Sequence, residues 1–93
     1  MRSYLVETYL AQGRAGERSA LEARARSAAD ELTEQRTRVS FERSIYVPED
    51  EICFFIFAAS SGRNAVLAAE RAALDPIRVV ESISSGPEER KAR

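Results

Sequence analysis

The chain has 93 residues, 44% of them hydrophobic and 31% charged, with a net charge of −1, a single cysteine and no histidine. That length holds one domain near the lower limit for burying a core unaided, and the balanced charge supplies no field to gather nucleic acid or anionic lipid. The lack of histidine excludes Ser–His and Cys–His catalysis and Cys/His zinc sites, and a lone cysteine makes no internal disulfide, which suits a reducing cytoplasm.

Ser3 to Leu10 alternates as a strand, with Tyr4, Val6, Thr8 and Leu10 on one face and Leu5, Glu7 and Tyr9 on the other. Gln12 to Gly16 breaks the pattern as a loop. From about Glu17 to Gln35 the composition turns to Ala, Glu, Arg and Leu, and Leu21, Ala25, Ala28 and Leu32 recur at helical spacing. Glu22 and Arg26 form a four-residue pair expected on a water-facing flank. The stripe is mostly alanine, so this helix must lie close to whatever it covers.

Arg38 to Val47 alternates again, with Val39, Phe41, Ile45 and Val47 read as one face and Ser40, Glu42, Ser44 and Tyr46 as the other. Pro48, Glu49 and Asp50 turn the chain into Glu51–Ala59, so the two strands are expected to form a hairpin. This third strand is apolar on both faces: Ile52, Phe54, Ile56 and Ala58 on one, Cys53, Phe55 and Phe57 on the other. Ser60 and Ser61 offer a capping hydroxyl to a helix over about Arg63–Leu74, which Asp75-Pro76 ends. Ile77 to Ile83 reads as a fourth strand and Ser84 to Arg93 as a flexible polar tail. No segment is long and apolar enough to span a bilayer and the N-terminus lacks an export pattern, so a cytoplasmic place is expected.

The order β-α-β-β-α-β predicts a single α+β domain over residues 1–83. It is the ferredoxin-like plait: a four-stranded antiparallel sheet with its first and third strands central and both helices on one face. The other face then lies bare. Assigning Cys53, Phe55 and Phe57 to it leaves two phenylalanines in water, at about 1.5–3 kcal/mol each of forgone burial. A second subunit is the simplest cover, giving a homodimer of the dimeric α+β barrel type.

The same face is expected to collect Glu7, Tyr9, Glu42, Ser44 and Tyr46 as polar contacts, with Phe55 and Phe57 as an apolar wall, for a small ligand held between the sheets. Glu7 and Glu42 alternatively pair with Arg43, Arg38 or Arg78 at the rim. Cys53 is expected to be a buried, inert thiol. No phosphate-binding glycine loop is present. The basic-glycine opening that RNA-binding plaits carry on their third strand is replaced by Glu51-Ile52-Cys53, so no nucleic-acid partner is expected.

Four stretches carry a resemblance: Tyr4-Leu5-Val6-Glu7, Arg43 to Asp50, Cys53 to Ala59, and Ile77 to Glu81. Over Tyr4 to Ile83 they resemble a family of small bacterial ferredoxin-like proteins, largely of unknown function, that includes nickel-binding members. The resemblance implies the plait, dimerisation through the sheets and, in some members, a metal held largely by histidine. Glu70 begins the stretch where relatives often have His, and an ion here would need Glu7, Glu42, Glu70 or Cys53. The expectation is therefore a homodimeric ligand-binding protein without metal or cofactor. One alternative is a cofactor-independent oxygenase or isomerase using Glu7, Glu42 or Glu81 as base; another is a protein-interaction module without a pocket.

Overall fold

The computed structural model describes residues 1–84, so the tail expected over 84–93 lies, apart from Ser84, outside the described residues. Strands β1 (Arg2–Tyr9), β2 (Val39–Val47), β3 (Ile52–Ala59) and β4 (Arg78–Ser82) form one antiparallel sheet in the order β2-β3-β1-β4. Helices α1 (Arg18–Glu34) and α2 (Gly62–Arg71) connect β1 to β2 and β3 to β4. This is the ferredoxin-like α+β arrangement, with β1 and β3 central and both helices packed on one face.

The expected loop after β1 is instead a 3₁₀ turn over Gln12–Glu17 that leads directly into α1. Ser61 caps α2, its hydroxyl accepting from the Asn64 N–H at 3.2 Å. Gly62 lets this helix start against the Tyr4 ring, since a β-carbon there would meet the ring at 3.3 Å. Both helices end in the same way, with paired bonds closing the last turn. Leu74 N–H reaches Ala69 O and Ala73 N–H reaches Glu70 O, while Thr37 N–H reaches Leu32 O and Arg36 N–H reaches Thr33 O. The residues at the left-handed position are Ala73 (φ 56°) and Arg36 (φ 70°), where glycine is usual. This cap, not Asp75-Pro76, ends α2, three residues before the expected boundary.

The core lies between sheet and helices. The helices bring Ala25, Ala28, Ala29, Leu32, Ala65, Ala68 and Ala69, all buried. Against these small side chains the sheet sets Tyr4, Val6, Phe55 and Phe57, with Phe41 partly buried at the edge. Close packing needs large residues opposite small ones, and that match fixes the phase of β3. Phe55 and Phe57 are fully buried beneath the helices, opposite Val6 and Tyr4 of β1. Their expected place on the bare face is corrected, and so is that of Cys53, also fully buried on the helix side.

A second correction comes from β2. Its register on β3 runs Val39↔Ala59 and Phe41↔Phe57, then shifts to Arg43↔Ile56 and Ser44↔Phe55, leaving Glu42 as the extra residue of a bulge. Beyond the bulge the faces exchange. Ser44 and Tyr46 turn to the helices, while Ile45 and Val47 turn to the open side. Strict alternation from Val39 would put Arg43 among the apolar residues under α1; the bulge moves it out to the open face.

Candidate functional site: the open sheet face and its surroundings

The open face is built by register. Leu5 of β1 stands between Ile56 of β3 and Val80 of β4, and Glu7 stands between Phe54 and Arg78. Phe54 is flanked on its other side by Ile45, and Ile52 joins Tyr9 to Val47. The result is a continuous apolar surface crossing all four strands, with Ile45 43% exposed.

Of the residues expected at a ligand site, Glu7 and Tyr9 stand on this face. Arg78 Nε donates to Glu7 Oε1 at 2.9 Å, so Glu7 pairs across the sheet in the manner of the rim alternative. The Tyr9 hydroxyl donates to Glu51 Oε1 at 3.1 Å, and the other oxygen of Glu51 accepts from the Gln12 N–H at 2.8 Å. That hydrogen bond pushes the Tyr9 pKa upward, because it holds the phenol proton, and the charge on the same carboxylate opposes the phenolate as well. Glu51 itself has φ 56° at the end of the hairpin turn, a position where glycine is common, and its two acceptor bonds tie the turn to the chain leaving β1.

Ser44 and Tyr46 serve the helix side instead. Arg18 donates to the Ser44 hydroxyl at 2.8 Å and to the Ser44 carbonyl at 3.0 Å, and the Ser44 hydroxyl donates onward to Glu22. The Tyr46 hydroxyl donates to Leu10 O at 2.8 Å and Thr8 donates to Cys53 O at 3.1 Å. Burial pushes the Cys53 thiol pKa upward, which keeps it protonated and unreactive at neutral pH. Among the described residues every buried side-chain polar atom has a partner, so these groups act as anchors of the helix layer. Glu22 is correspondingly a bridge to β2 rather than the water-facing member of a helix pair. Arg26 lies over the Phe41 ring at 5.2 Å. The roles of Arg18 and Glu22 escaped the sequence reading, although both continue the buried stripe of Leu21, Ala25 and Ala29 toward the start of α1.

A metal of the kind the family resemblance implies does not fit these residues. Glu7 is on the open face, Glu42 at the bulge, Glu70 on the exposed side of α2 and Cys53 under the helices. Among the described residues no three His, Cys, Asp or Glu side chains come together as a ligand set. Glu81 sits opposite Tyr4 at the sheet edge and lies 3.8 Å from Arg2, both of them exposed. No helix of the described residues is long and apolar enough to cross a membrane.

Neither a family model nor a curated protein matches the sequence. Among solved structures, the crystal structure of SCO4226 from Streptomyces coelicolor A3(2) is similar, with a TM-score of 0.66 and 17% identity. The match covers 90% of this chain and 99% of that one. At this identity the likeness establishes the shared fold.

Proposed function

We propose that the protein is a cytoplasmic homodimeric binding protein whose two sheets pack face to face, with Glu7 and Tyr9 as the polar groups available to a small ligand held between them. The observation that carries this reading is the uncovered apolar surface of Leu5, Ile45, Phe54 and Val80, which surround Ile56, itself already buried. Each large apolar side chain left in water forgoes about 1.5–3 kcal/mol, and a two-fold copy of the same surface is the simplest complement. The buried free thiol of Cys53 supports a reducing compartment.

With Ser44, Tyr46, Phe55 and Phe57 committed to the core, the space between the sheets offers fewer polar contacts than the sequence implied. That favours tight apolar packing over a large inter-sheet pocket. The enzymatic alternative has no specific support, since Glu7 is paired and Glu42 and Glu81 are exposed.

Sedimentation equilibrium and native mass spectrometry test the proposal together. The wild type is expected at dimer mass at micromolar concentration, and Ile45→Glu at monomer mass with an unchanged circular dichroism spectrum. An organic mass retained on the dimer would identify the ligand class. A wild-type monomer at about 100 μM, a concentration at which an interface of standard size is filled, would overturn the dimer.

A further inference from the structure

Glu7, Arg43 and Arg78 stand among the apolar side chains of the open face, and their bonds do not close within one chain. Glu7 lies on the central strand β1 beside Phe54 of β3, with its side chain only 19% exposed. Its Oε1 accepts from Arg78 Nε at 2.9 Å. The other oxygen, Oε2, accepts nothing among the described residues, yet no buried side-chain polar atom among them lacks a partner, so water must reach it. Arg43 is the converse. The bulge delivers its guanidinium to the same face, in the row Arg43–Ile56–Leu5–Val80. It is exposed and enters none of the ion pairs among the described residues, with the adjacent Glu42 or with any other acid. Within the chain it stands two strands from Glu7, roughly 10 Å, with β3 between them.

Covering the face changes this balance. The water at Oε2 is expelled, and an anionic oxygen left without a donor would oppose the pairing of sheets. The Tyr9 hydroxyl cannot serve, because it already donates to Glu51. Two-fold symmetry supplies the donor. An axis along the strands, midway between β3 and β1, lays β2 of one copy over β4 of the other and keeps the rows aligned. Arg43 of the partner subunit then lies over Val80, one row from Glu7. Packed sheets are about 10 Å apart, within the joint reach of these two long side chains.

We propose that, in the face-to-face dimer on which this inference rests, Arg43 of each protomer donates to Glu7 Oε2 of the other. Glu7 is then held between its own Arg78 and Arg43 of the partner subunit, with one guanidinium to each oxygen. The contact is made twice by symmetry, and it fixes the direction of the axis. A two-fold turned across the strands would stack β2 on β2 and leave Arg43 two strands from Glu7. Tyr9 is then the polar group left for a ligand between the sheets.

A double-mutant cycle on the dimer dissociation constant, measured by sedimentation equilibrium for Arg43→Gln, Glu7→Gln and the double variant, tests the contact. Each single change should weaken the dimer at least about tenfold, and the double variant no more than about threefold further. Arg43→Glu sets two carboxylates together and should weaken it more than Arg43→Gln does. At dilutions where the protein is monomeric, the effects of the two Gln changes on urea unfolding should add, since the residues do not meet within one chain. A wild-type dimer that Arg43→Gln leaves equally tight would overturn the contact and spare the dimer, as would losses that multiply in the double variant. Coupling that persists in the dilute monomer would place the contact within one chain and overturn it too. A wild type still monomeric at about 100 μM overturns the contact and the dimer together.

Discussion

The two faces of β3 carry nearly the same chemistry and meet different fates. Phe55 and Phe57 are fully buried beneath the helices, while Phe54, one residue away, lies half-buried on the open side. Hydrophobicity does not separate them. What separates them is volume: the helices present alanine, and only the face bearing the two phenylalanines, with Tyr4 beside them, fills the space. The helix face is thus a finished core, and the open face is a surface still lacking its cover.

The largest effect that can test this contrast comes from truncating one ring on each face. Phe57→Ala should cost about 3–5 kcal/mol in urea unfolding, the usual cost of emptying a buried aromatic site. Phe54→Ala should cost much less at concentrations where the protein is monomeric, with its loss growing as protein concentration rises. Equal costs in the dilute monomer would break the contrast, because they would mean that the open face is already packed within one chain.

Hydrogen bonding separates the faces at the next level. Ser44→Ala removes the hydroxyl between Arg18 and Glu22, leaving Arg18 only the Ser44 carbonyl, and should cost about 1–3 kcal/mol. Ser40→Ala, exposed before the bulge, should stay within about 0.5 kcal/mol of wild type. Similar values for the two serines would show that the bulge does not exchange the faces of β2. The helix layer itself can be improved: Ala73→Gly and Arg36→Gly, each relieving a left-handed non-glycine cap, should raise stability by up to about 1 kcal/mol and the Tm by a few degrees.

The smallest effect is expected from pH. The Cys53 thiol has its pKa raised above the ordinary 9.0 by burial, so the folded state holds this proton more tightly than the unfolded chain. Its contribution is fully present below pH 9.0 and is lost as pH climbs from there through the raised value. Stability measured upward from pH 8 should therefore fall more gently in Cys53→Ala than in wild type. An identical slope would mean that Cys53 does not titrate differently on unfolding.

Much of the fold was legible because it depends on period and punctuation. Alternation over Ser3–Leu10, helical spacing over Leu21–Leu32, the Ser61 cap and the Pro48 turn each act locally, and together they order the elements into the plait. The candidate site was half legible. Glu7 and Tyr9 were placed on the open face by β1, whose alternation is clean. Ser44 and Tyr46 were misplaced by the bulge at Glu42, for which the intrusion of Arg43 into an apolar row was the available signal. Phe55 and Phe57 were misplaced because a strand apolar on both sides has no phase of its own.

By itself, then, the amino-acid sequence determined the elements, their order and the existence of one face without a cover, since these follow from short-range patterns of size and polarity. The tertiary structure alone decided which face of β3 is core, where β2 changes sides and how Arg18 and Glu22 meet Ser44. Those outcomes rest on matching volumes and hydrogen bonds between segments far apart in the chain, and no local pattern encodes such a match.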